Sequence, residues 1–228
     1  MLLIAVLAGW LLGRISSSKA FTKDRGTNEM LADYFVGLNY LLNDEPDEAI
    51  DIFIKALEID NDNIETHLAI GALLRRRGKV DKAIKVHQAL LARPGLDKSF
   101  TDSTRLQLSI DYISAGLLDR AERLLKEILE EGSNGKWEAL RHLITIYQRE
   151  KEWGKAIDCS ALLLTNNNHK NDSDIRAAAA HYCCELAEQN LINAQNSKAK
   201  DEIRRALTFD RKNVRASLLL ARIEQLLG

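Results

Sequence analysis

The chain has 228 residues, 46% of them hydrophobic and 29% charged, with only two prolines and twelve glycines. That length supplies ample material for a core, and the dominance of Ala, Leu, Ile, Glu, Lys and Arg favours helix over sheet. A net charge of −1 excludes any general attraction to nucleic acid.

The chain opens MLLIAVLAGWLLGRISSSK, an apolar run closed by Arg14. Three readings exist: a membrane anchor, a secretory signal, or a helix buried in the fold. A secretory signal carries positive charge before its apolar stretch and a small-residue cleavage site after it. Here the charges follow instead, at Arg14, Lys19, Lys23 and Arg25. The positive-inside rule then puts the residues after Arg14 in the cytoplasm, and Trp10 stands where an interfacial aromatic would hold the helix. The anchor is therefore the preferred reading, built on Leu2, Leu3, Ile4, Val6, Leu7, Trp10, Leu11 and Leu12 within residues 1–15. Its thirteen apolar residues reach roughly 20 Å, short of the ~20 residues a bilayer needs, so the segment either starts upstream or thins the membrane. Residues 16–29 are a polar linker.

From residue 30 the chain repeats itself with a period of thirty-four. Gly37, Tyr40 and Ala49 in GLNYLLNDEPDEAIDIF align with Gly71, Leu74 and Ala83 in GALLRRRGKVDKAIKVH. The frame returns around Tyr112 and Ala121, then Tyr147 and Ala156, and more weakly at Ala199 and Ala206. Each copy reads as an apolar-periodic helix, a short polar turn and a second helix. Small residues (Gly37, Gly71, Ala49, Ala83, Ala121, Ala156) let the two helices approach where they cross, and Tyr40, Phe53, Tyr112 and Tyr147 fill the space beside them.

This pattern resembles the tetratricopeptide repeat. The resemblance implies an all-α fold, a right-handed α-solenoid with repeats near 30–63, 64–97, 102–135, 137–170 and 180–213 and a terminal helix at 214–227. PGLDK at 94–98 is a spacer, and NNNHKNDSD at 166–174 a polar loop before the fifth repeat. Amphipathic hairpins of other α-solenoids can mimic such a pattern; the 34-residue register argues against them.

Successive segments, DYFVGLNYLLNDEPDEAIDIFIKALEID, ETHLAIGALLRRRGKVDKAIKVHQALL, LSIDYISAGLLDRAERLLKEIL and HYCCELAEQNL, with GWLLGR at the end of the opening stretch, resemble the lipopolysaccharide assembly protein B family. The resemblance implies a single-pass bacterial inner-membrane protein with cytoplasmic repeats and no enzymatic activity. It implies an adaptor that presents the deacetylase committing precursors to lipid A to a membrane-bound, ATP-dependent metalloprotease, limiting lipopolysaccharide synthesis. The alternative is a generic repeat scaffold, cytoplasmic or periplasmic, with unrelated protein partners. Family members continue to a rubredoxin-like module with two C-x-x-C pairs; this sequence contains no C-x-x-C. The expectation is a short form with no metal and no cofactor.

Chemistry-bearing motifs are absent: there is no G-x-G-x-x-G, G-x-x-x-x-G-K-[ST], H-E-x-x-H or G-x-S-x-G. His181, Cys183 and Cys184 in HYCC do not converge on one tetrahedral centre when helical, and no fourth ligand is nearby. Cys159, Cys183 and Cys184 form no disulfide framework, which fits a reducing compartment. His67, His87 and His142 read as packing or surface residues. Asp44, Glu45, Asp47 and Glu48 suit a helix N-terminus, and Arg75, Arg76 and Arg77 before Gly78 suit a helix C-terminus. The arginines read alternatively as a basic patch for an acidic peptide or for anionic headgroups. In this repeat family the first helix of each pair lines the concave surface. By register that places Tyr34, Leu38, Arg75, Arg76, Arg141 and Arg149 there, an apolar end beside a basic middle suited to a short acidic-hydrophobic segment of a protein partner. An ordinary solvated face is the competing reading.

Overall fold

A computed structural model describes residues 64–132 and 135–227, together with Val36, Gly37, Asn39, Tyr40, Ala49 and Ile52. The chain divides into two compact units, Met1–Leu96 and Asp97–Gly228. Among the described residues all regular structure is helical.

The first unit contains a helical hairpin, α1 (Ile64–Arg76) and α2 (Val80–Leu91). Its core is Ile64, His67, Ile70, Leu74, Ala83, Val86 and Leu90, spaced three and four apart along each helix so that each buries one stripe. Gly71 sits where the helices cross. A Cβ there would fall within 2.9 Å of three atoms of the His87 ring, so glycine is what admits this fully buried imidazole. His87 Nε2 in turn lies 3.4 Å from the Leu68 carbonyl. Gly37 and Ala49, the small residues of the preceding copy, are also buried.

The second unit is three hairpins and a ninth helix: α3 (Lys98–Ser114) with α4 (Leu118–Glu130), α5 (Lys136–Arg149) with α6 (Trp153–Leu163), α7 (Ser173–Ile192) with α8 (Asn196–Phe209), then α9 (Val214–Leu227). Each second helix packs on its own partner and on the next first helix: α4 on α5, α6 on α7, α8 on α9. Ala121, Ala156, Ala199 and Ala206 are fully buried at these crossings, and Tyr112 and Tyr147 stand beside them at 6% and 3% exposure. A hairpin cannot cover its own apolar face, so its neighbour does. Three buried hydroxyls are satisfied within their own helix: Thr104 donates to the Phe100 carbonyl at 2.7 Å, Ser109 to Leu106 and Ser160 to Ala156 at the same distance.

One turn closes all four hairpins among the described residues. After α1, the Gly78 N–H donates to the Arg75 carbonyl and the Lys79 N–H to Leu74; after α3, Gly116 donates to Ile113 and Leu117 to Tyr112. This paired reversal requires a left-handed residue at its centre, which Gly78 (φ 79°) and Gly116 (φ 75°) adopt without cost. The other two hairpins make the same bonds around Lys151 (φ 58°) and Ala194 (φ 57°). Connections back to the next hairpin are longer. The polar stretch at 166–174 ends earlier than its composition suggests, because Asp172 accepts from the Asp174 and Ile175 N–H groups and starts α7 at Ser173.

Candidate partner-binding site

The first helices of the hairpins in the second unit are joined to one another by polar links from each to its predecessor. Arg149 on α5 donates through Nη1 to the Ile113 carbonyl at the end of α3, at 3.3 Å. Tyr182 on α7 donates to Gln148 Oε1 on α5 at 3.1 Å, and its ring stacks on Trp153, with centroids 5.9 Å apart and planes 20° from parallel. Arg215 on α9 reaches back to two carboxylates of α7, Nη1 to Glu185 Oε1 at 2.6 Å and Nη2 to Glu188 Oε2 at 2.9 Å. Burial works against the Arg215 charge, but the hydrogen bonds from Glu185 and Glu188 outweigh it and raise its pKa.

Beside that fork a cavity of about 710 Å³ opens between α7 and α9. His181, Glu188, Val214, Leu218, Leu219 and Arg222 contribute to its lining. Val214 and Leu218, one helical turn apart, are 71% and 68% exposed, whereas Leu219 and Ile223 of the same helix are buried. The lining mixes these apolar side chains with the cations Lys212, Arg215 and Arg222 and the acids Glu188 and Asp210.

Elsewhere several titratable groups are engaged in the fold. Burial drives the Tyr147 phenol above its ordinary range, helped by its 2.8 Å hydrogen bond to Glu122 Oε1. Burial also penalises the Glu122 carboxylate, but Lys126 and Tyr147 bonding to it outweigh that and keep its pKa low. Burial pushes the Cys183 thiol up to about 12 and the Cys159 and Cys184 thiols up to about 11, so all three remain protonated and poorly nucleophilic near neutrality. Among the described residues no three His, Cys, Asp or Glu side chains lie together as a metal would require, and no helix is long and apolar enough to cross a membrane.

The residues read from sequence as partner-facing fall in different places. Tyr34 and Leu38 lie outside the described residues, as do the anchor positions Leu2, Leu3, Ile4, Val6, Leu7, Trp10, Leu11 and Leu12. Arg75 is half-buried and Arg76 exposed at the end of α1. Arg141 is exposed on α5 but held by His169 Nδ1 at 3.2 Å and Asp172 Oδ2 at 3.6 Å, so it braces the loop into α7. Arg149 is committed to the Ile113 carbonyl. Tyr182, Arg215 and Leu218 went unnoticed. The sequence carries no signal for the Arg215 fork or the Tyr182 link, because each depends on how neighbouring hairpins settle against one another.

Paired helices closed by one shared turn, stacked within the second unit so that each second helix packs on the next first helix, are the fold of tetratricopeptide repeats. The tetratricopeptide repeat model matches residues 66–99. The C-terminal part of a TPR repeat-containing protein from Cytophaga hutchinsonii superposes with a TM-score of 0.53 at 17% identity, covering 84% of this chain and 73% of that one. In sequence the chain is similar to lipopolysaccharide assembly protein B of Escherichia coli K12, 34% identical over 220 residues, 96% of this chain and 55% of the relative. The protein of the same name from Haemophilus influenzae is 33% identical over 234 residues, 99% of this chain and 57% of its own length. The chain thus spans about half the length of the curated relatives it matches.

Proposed function

We propose that this protein is a membrane-tethered adaptor, not an enzyme, that limits lipopolysaccharide synthesis by bringing the committed lipid A deacetylase to a membrane-bound, ATP-dependent metalloprotease. One observation carries the reading: similarity to lipopolysaccharide assembly protein B runs through 96% of the chain, so the helices and turns described above belong to the shared part. The site supports it chemically, because stacked helices offer wide surface for protein contact and the buried thiols offer no ready nucleophile. The apolar opening stretch, with its cations on one side, supports a tether in the inner membrane with the repeats in the cytoplasm. A tether confines encounters to the membrane surface and raises effective concentration for partners held there.

Co-purification from detergent-solubilised membranes tests this. The full chain recovers the deacetylase and the protease, and a chain lacking residues 1–14 recovers less of the protease. Recovery of neither refutes the reading. A mature chain whose intact mass begins beyond Arg14 favours instead a cleaved, exported scaffold.

A further inference from the structure

Charge is distributed unevenly along the chain. Residues 64–96 hold seven Lys or Arg against two acids, Glu65 and Asp81, a net of +5. Residues 1–63 hold five against eleven, and residues 97–228 twenty of each sign. The excess is concentrated at the tip of the α1/α2 hairpin. Arg75, Arg76 and Arg77 end α1, Lys79 follows Gly78, and Lys82 and Lys85 lie in the first turns of α2. Arg76, Arg77, Lys79 and Lys85 are exposed.

Helix energetics account for part of this cluster only. Arg75 and Arg76 sit at a helix C-terminus, where cations are favoured. Lys79 and Lys82 sit at the N-terminus of α2, where the macrodipole favours anions and no side chain caps the helix. The turn does not call for them either, since its carbonyls are satisfied by the Gly78 and Lys79 N–H groups.

The geometry points to this tip as an electrostatic docking surface for anionic lipid headgroups, engaged when the chain is held at a membrane; it deepens the tethering reading above and rests on it. A lipid surface fits better than an acidic peptide. The cations flank an exposed turn, and the space where a Gly78 side chain would sit is open, with nothing within 4 Å. Leu73, one turn back from Arg76 and Arg77, is 38% exposed and suits the boundary between headgroups and acyl chains rather than a peptide pocket. Attraction of this kind grows with each Lys or Arg near the surface and dies within a Debye length, so salt reverses it.

The test uses the full-length protein in nanodiscs of phosphatidylcholine, or of phosphatidylcholine mixed with phosphatidylglycerol, and reads amide hydrogen exchange over residues 76–86. Anionic discs slow exchange there, and high salt abolishes the difference. The triple variant Arg76→Gln, Lys79→Gln, Lys85→Gln weakens docking about 100-fold, returning exchange to its value in neutral discs. The charge-keeping variant Arg76→Lys, Lys79→Arg, Lys85→Arg retains protection, and far-UV circular dichroism verifies that both fold. Equal exchange in the two kinds of disc overturns the docking surface, as does protection that survives the triple variant. Protection by polyglutamate in neutral discs, with none from anionic lipid, overturns it in favour of an acidic peptide. Co-elution with neutral discs reads the tether separately: a chain that fails to co-elute refutes tethering, while the exchange comparison on anionic discs still decides the docking surface.

Discussion

His67 makes the stability of the α1/α2 hairpin depend on pH. Its side chain is fully buried in α1, and burial first, then the nearby Arg93 charge, lowers its pKa from 6.5 to about 4. The unfolded chain therefore binds a proton that the folded one refuses between those values, and stability rises with pH across that window. At 1.36 kcal/mol per unit, the shift amounts to about 3 kcal/mol, present in full above pH 7 and gone below pH 4. Opening of the hairpin, read by hydrogen exchange of its central amides after correction for intrinsic rates, becomes correspondingly easier at pH 4.5 than at pH 7. Carboxylates elsewhere titrate in the same range, so the comparison is with His67→Leu, which is weaker at pH 7 through lost packing but loses the histidine's share of the slope. Proton NMR of the His67 ring supplies the direct value. A midpoint near 6.5 in the folded protein, or an unchanged slope in His67→Leu, refutes the reasoning.

Three further outcomes follow from the packing and the turns. Ala194→Gly relieves a left-handed alanine and stabilises the second unit by about 1 kcal/mol, whereas Gly116→Ala imposes the same strain and destabilises it by about 1 kcal/mol; opposite shifts in thermal midpoint check both. Gly71→Ala drives a methyl into the His87 ring and costs about 2 kcal/mol, much of it recovered in the double variant with His87→Ala, as a urea-denaturation cycle will show. Arg215→Ala leaves Glu185 and Glu188 facing each other and frees α9 from α7; with these groups about a third exposed, the loss is about 1 kcal/mol or less, seen as faster exchange in α9.

The crossing points were legible because spacing alone reveals them. Ala83, Ala121, Ala156 and Ala199 recur at one position of a repeated frame, and each is fully buried. Gly71 was legible as a small residue, but not as the gap that seats His87, since that pairing depends on two helices meeting. The turns were half legible: Gly78 and Gly116 announce a left-handed residue, while Lys151 and Ala194 take the same conformation against their preference because the flanking helices impose it. The links between hairpins were hidden. Trp153 and Tyr182 stand 29 positions apart, and the Arg215 fork depends on how α9 settles against α7. Arg141 and Arg149 looked free for a partner because a sequence shows charge but not that His169, Asp172 and the Ile113 carbonyl engage it.

In the proposed adaptor role, the protein shortens the life of the lipid A deacetylase by carrying it to the protease. Its most direct test is the half-life of that enzyme in the protein's own cells after synthesis is stopped, with the chain present, deleted, or restored without residues 1–14. The adaptor role requires a short half-life with the full chain only, and a longer one in the other two cases. An unchanged half-life on deletion would contradict it.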